Sequence, residues 1–214
     1  MMSTMRLLGV AVLAVCAVSA AEAGDGAPTS DPSRGERLYA TCSACHGASG
    51  MGQPEGPAPV IAGQHGRVLL RQLADYRAAA RWDPRMEHVA QLRAFSDPAD
   101  LADIAAFVAR LDAPLPAAIG SGAGLAEGAR VFLGRCAACH GATGQGDDAR
   151  GIPRLAGQHE AYLRRQVLDA VEGRRPRLQA SHGARFMTLS ATSLEGLADY
   201  LSRNFRRVDP GRPH

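Results

Sequence analysis

Two five-residue segments bring reactive side chains to a fixed spacing: Cys42-Ser43-Ala44-Cys45-His46 and, 94 residues later, Cys136-Ala137-Ala138-Cys139-His140. In a helical turn, thiols three residues apart share a face. Both can then add to the vinyl groups of one haem, and the histidine beside the second thiol can bind the iron. A zinc site, a disulfide or a thioredoxin-type redox pair also uses cysteines at this spacing. None of these gives a role to a histidine that follows the second cysteine in both copies. The segments therefore read as c-type haem attachment sites, with Cys42, Cys45, Cys136 and Cys139 as covalent anchors and His46 and His140 as proximal iron ligands.

The elements that must position these groups are themselves repeated. At the same offset of 94, Pro59, Ala62-Gly63-Gln64-His65, Arg71-Gln72 and Ser96 recur as Pro153, Ala156-Gly157-Gln158-His159, Arg165-Gln166 and Ser190. The chain is thus a tandem duplication of one small module. Residues 24–112 form the first copy, 113–124 a Pro/Gly/Ala/Ser-rich linker and 125–214 the second. Residues 1–23 read as a secretory signal, with Arg6 ahead of an apolar run and Ala21-Glu22-Ala23 at the cleavage position. Cleavage near Ala23 gives a periplasmic protein. The apolar run is shorter than the roughly 20 residues that span a membrane. Of the five cysteines, Cys16 leaves with the signal, and the two motifs use the other four, so no disulfide is expected.

All 24 basic residues are arginine. Residues 24–119 hold 9 arginines against 11 acids and residues 120–214 hold 14 against 9, so the halves carry about −2 and +5 and present different fields to partners. Basic residues without interleaved aromatics do not make a nucleic-acid surface. Outside the haem motifs there is no triad or paired-carboxylate spacing, which points to electron transfer without a substrate pocket and not to an enzyme.

The helical pattern is plain in places. Ser33 to Glu36 has the spacing of a capping box, so a helix starts there and runs into the first motif. Residues 47–59, with four Gly and three Pro, form a loop over the haem. Leu69, Leu73 and Tyr76, and their counterparts Leu163, Val167 and Ala170, mark an inward helical stripe. Residues 81–95 contain Pro84 and no clean stripe and read as a loop. Asp97-Pro98 then opens the last helix of the module, whose buried face is Leu101, Ile104, Ala105 and Val108. Leu194, Leu197, Ala198 and Leu201 repeat that face. No segment alternates as a strand does, so the fold class is all-α.

With these segments in view, the chain resembles the diheme cytochromes c of the cytochrome c4 type. The resemblance rests on the paired C-x-x-C-H-G segments, on Ile61-Ala62-Gly63-Gln64 and Leu155-Ala156-Gly157-Gln158, and on Phe95-Ser96-Asp97 and Leu189-Ser190. It implies two tandem class I-like cytochrome c domains related by a pseudo-twofold, one haem c in each. It also implies a periplasmic electron shuttle whose partners are dehydrogenases, terminal oxidases or other cytochromes, with membrane association only through them. A diheme electron-accepting subunit, as in flavocytochrome c sulfide dehydrogenases, shares the architecture. Pro57 or Pro59, and Pro153, are candidates to accept the proximal Nδ1–H; His65 and His159 are placed near the haem edge and not on iron, and Trp82 is a packing residue. In the family the sixth ligand is a methionine eight residues before the serine that opens the last helix. Here that count lands on His88 and His182, each 42 residues after its own proximal histidine. The expected distal ligands are therefore His88 and His182, with Met86 and Met187, at unmatched positions, as the alternative.

Overall fold

The computed structural model describes residues 30–97, 99–113 and 120–203. The expected signal at 1–23, positions 114–119 of the expected linker and the tail from 204 lie outside the described residues. Among those described, the chain forms α1 (Pro32–His46), α2 (Gly66–Arg77), α3 (Pro84–Ala90), α4 (Asp100–Ala109), α5 (Leu125–Arg135), α6 (Ala137–His140), α7 (Glu160–Val171), α8 (Pro176–Phe186) and α9 (Ala191–Arg203). A 3₁₀ turn spans Arg93–Phe95. The only extended feature among these residues is an isolated bridge between Asp147 and Ile152.

In the first half α1 begins two residues earlier than the capping-box spacing suggests. The Asp31 carboxylate accepts from the Ser33 and Arg34 N–H groups and Pro32 takes the first helical position, where its missing N–H costs nothing. Helix α1 crosses α4 at Gly35, close enough that a Cβ there would collide with the Asp103 carbonyl. Arg34 ties the same crossing, donating to Asp100 at 2.5 Å and Asp103 at 2.8 Å. Leu69, Tyr76 and the whole expected face of α4 are buried with Tyr39 and Phe95.

The expectation of a loop at 81–95 is corrected. Asp83 caps a helix by accepting from the Arg85 and Met86 N–H groups, and Pro84 occupies its first position. The proline read as a breaker is a helix starter. In the last helix Asp97 accepts from the Ala99 N–H and the regular helix begins at Asp100.

The second half repeats this plan. Helix α5 breaks at Cys136 and restarts as α6, so that the motif is carried on a single short turn. Helices α5 and α9 cross at Gly124, Gly128 and Gly196, over a core of Val131, Phe132, Leu197 and Leu201.

The halves face each other through three reciprocal pairs of bonds at the repeat offset. Gln64 donates to the Arg154 carbonyl and accepts from its N–H, both at 2.9 Å. Gln158 does the same with Val60 at 2.8 and 2.9 Å. His65 Nε2 meets the Gln145 carbonyl at 2.9 Å, and His159 Nε2 meets that of Met51 at 2.7 Å. Arg71 donates to Gly151 O at 2.9 Å and Arg165 to Pro57 O at 2.7 Å. Each glutamine thus imitates a strand neighbour for the other half's backbone. Replacing both Gln64 and Gln158 with alanine removes four interdomain bonds, each worth about 1 kcal/mol net. Calorimetry of the double variant is expected to resolve two unfolding transitions where the parent has one, and an unchanged single transition would contradict this account of the docking.

Candidate functional site

Cys42, Cys45 and His46 lie in the last two turns of α1. Gly47, at φ 73°, then turns the chain out of the helix. The following loop returns through Gly52 at φ 66°, where a Cβ would strike the backbone of Ala58 and Pro59. This close return sets the Pro59 carbonyl 3.0 Å from His46 Nδ1. In the second half the Pro153 carbonyl stands 3.0 Å from His140 Nδ1. An Nδ1–H donated to a carbonyl fixes the tautomer and leaves Nε2 bare for a metal. Both rings are buried, at 6% and 7% exposure, and burial lowers the pKa of each. Burial therefore favours the neutral imidazole, the form that binds iron.

The thiols fit haem better than the other readings. Burial pushes Cys42 up to about 11, helped by Cys45, and pushes Cys136 up as well. A redox pair needs the opposite, a depressed thiol. Among the described residues no three His, Cys, Asp or Glu side chains gather as a zinc site requires.

Each motif opens on an apolar cavity. The first is walled by residues such as Leu73, Val89, Ile104 and Val108 from α2, α3 and α4. The second is walled by Val131, Leu155, Leu163 and Leu197, and the first is the narrower. Pro59, Ile61, Leu69, Gln72, Tyr162 and Gln166 line both. Two flat apolar macrocycles would therefore be separated by a wall one side chain thick.

Cations wait at that wall. Arg81 is buried and donates to Tyr162 Oη at 2.8 Å and to Gln166 Oε1 at 2.7 Å. Its repeat partner Arg175 is pushed down to about 10, first by burial and then by Arg81 itself. A buried guanidinium beside a half-buried one favours an anion nearby, and haem propionates are of that charge. The repeat offset pairs Arg81 with Arg175, so the sequence held this signal, although the haem motifs drew the reading elsewhere. His65 and His159 line neither cavity and spend Nε2 on the interdomain bonds. Trp82 is 55% exposed at the rim of the first cavity, over Arg174, and not packed as expected.

The two halves differ on the side opposite the proximal histidine. Met86 is half-buried and lines the first cavity, whereas His88 is exposed and off its wall. His182 lines the second cavity with its ring centre 6.0 Å from that of His140. Met187 is 71% exposed and lines neither cavity. The ungapped repeat aligns 88 with 182, but α8 starts two residues ahead of α3 in repeat register and is longer, 11 residues against 7. The two helices consequently present different faces.

The chain matches the Cytochrome c family over residues 32–112 and 125–203. It is 36% identical over 151 residues to cytochrome c4 of Pseudomonas aeruginosa, covering 68% of this chain and 73% of that protein. A thiosulfate dehydrogenase electron acceptor of Stutzerimonas stutzeri is 34% identical over 208 residues, 92% of this chain and 93% of that one. Among solved structures, reduced recombinant cytochrome c4 from Pseudomonas stutzeri superposes with a TM-score of 0.71 at 30% identity, covering 81% of this chain and 98% of that chain. With two family matches and two cavities built alike around repeated thiols and imidazoles, the chain belongs to the cytochrome c family, as a diheme electron carrier of the cytochrome c4 type with two haems c.

Proposed function

We propose that the protein is exported to the periplasm and passes single electrons between a dehydrogenase and a downstream acceptor, a terminal oxidase or another cytochrome. Cys42 and Cys45 anchor the first haem and Cys136 and Cys139 the second, with His46 and His140 as proximal ligands. The observation that carries this reading is the wall of six residues shared by the two cavities. It supports a two-centre wire, with one shared wall between the haems. The haem irons supply the redox change, and the chain's residues orient them, keep water from them and hold their propionates near Arg81 and Arg175.

A second reading, a haem subunit held by its dehydrogenase, is favoured by the name of the Stutzerimonas stutzeri relative and by its coverage of 92% of this chain. It extends to the flavocytochrome c type of assembly. Stopped-flow mixing of the oxidised protein with a reduced thiosulfate dehydrogenase tests the carrier role. Reduction of both haems is expected, at a rate that falls with ionic strength if the basic second half steers the encounter. Absence of reduction, together with stoichiometric copurification with a flavoprotein from the native host, would favour the subunit instead.

A further inference from the structure

His182 stands at the separation from His140 that a shared metal between two imidazoles would need. Two metal–imidazole bonds of about 2 Å, with about 1.1 Å from each nitrogen to its ring centre, add up to about 6 Å. The His140 and His182 ring centres are 6.0 Å apart. The remaining nitrogen of His182 is also provided for. Ser181 Oγ lies 2.7 Å from His182 Nδ1 and can spend its own hydrogen on the Arg177 carbonyl at 2.9 Å. With that hydrogen on a carbonyl, of Arg177 or of Leu178 at 3.2 Å, the oxygen turns lone pairs to the imidazole, the arrangement in which Nδ1 donates and Nε2 is free for a metal. This is the arrangement by which proteins orient a metal-binding histidine. Phe186 stacks on the ring at 5.4 Å and holds its plane.

The first half builds nothing of this kind around His88. Two residues along a helix correspond to about 200° of rotation, so with Met86 and Val89 on the cavity wall, α3 turns His88 to solvent. On the second side the methionine is the one turned away, at 71% exposure.

We propose that the two irons carry different sixth ligands, Met86 on the first and His182 on the second. This rests on the haem reading above and deepens it. Thioether ligation raises a haem potential relative to imidazole, the stronger donor to ferric iron. An electron that enters at the second module therefore runs downhill to the first.

The oxidised wild-type protein tests this. A pyridine haemochrome assay must first give two haems per chain; a smaller number defeats the haem reading itself and leaves the ligand assignment no object. The far-red methionine-to-iron charge-transfer band should have the amplitude of one methionine-ligated haem per chain. Redox titration should show two one-electron steps at least a hundredfold apart in equilibrium constant, about 120 mV at about 59 mV per tenfold. His182→Met should double the band, Met86→Ala should abolish it, and His88→Ala should leave it unchanged. A wild-type band of twofold amplitude, no band at all, or a band that survives Met86→Ala overturns the proposal. If Met86→Ala fails to fold, Met187→Ala decides between the two methionines: the band should be unchanged, and its loss overturns the proposal.

Discussion

Gly128→Val is expected to lower stability by about 3 kcal/mol or more, the upper range for forcing side-chain volume into a packed contact. Gly134→Ala, six residues further along the same helix, is expected to raise it by about 0.5–1 kcal/mol. At Gly128 the added Cβ would run into the Gly196 carbonyl of α9, and Gly124 and Gly196 already hold the two backbones at close range. The obstacle is backbone on both sides, so no rotamer change relieves it. Gly134 has nothing within 4 Å of a built Cβ. There the side chain meets open space and removes only the excess freedom of glycine in the unfolded chain. Unfolding midpoints of the two haem-loaded variants check the pair of signs, and equal shifts for both would mean that the crossing of α5 and α9 is looser than described.

Replacing Cys136 and Cys139 together with alanine is expected to leave one covalent haem per chain, by intact mass, and to cost the second half most of its fixed structure. Among the described residues its buried apolar cluster is four, Val131, Phe132, Leu197 and Leu201, against seven in the first half. Val131, Leu197 and Leu201 border a cavity of about 560 Å³. Without its haem that apolar space is open to water, and few buried contacts remain to hold the second half. Limited proteolysis should cut within α7 to α9 while the first half persists. Since six wall residues are common to both cavities, the remaining haem gains contact with water, and its potential should fall as the ferric charge becomes better solvated. A fully protected second half lacking its haem would show that the polypeptide core suffices alone.

The elements that could be read from sequence were those whose signal is local. The α4 face of Leu101, Ile104, Ala105 and Val108 is buried to the last residue because a long apolar stripe at helical spacing has few other outcomes. The Pro153 carbonyl was legible and Pro59 was one of two candidates with Pro57; the repeat, which puts a proline 13 residues after each histidine, matches the pair observed. Helix α3 was missed for a local reason too: Pro84 acts as a start or a stop according to whether Asp83 caps the turn, and the stripe that would have told them apart is only seven residues long. Which side chains of α3 and α8 face the cavities was not legible, because it depends on how each helix is rotated against its neighbours. An ungapped repeat reports which residues correspond in number, whereas two residues along a helix, about 200° of rotation, separate an inward side chain such as Met86 from an outward one such as His88. Tyr162 at the shared wall was hidden for a further reason, as its repeat partner is Val68 and the internal symmetry gave no prompt.

The reciprocal bonds between the halves are those of a symmetric dimer, in which whatever one subunit does for its partner is returned at the equivalent atom. Two separate copies of one module could make the same contacts, but their irons would be identical and an electron would have no preferred resting place. Joining the copies in one chain keeps the handshake and releases each half to change alone. The symmetric bonds then guarantee proximity, and every departure from symmetry, Tyr162 against Val68 or the +5 half against the −2 half, becomes available to give the traffic a direction.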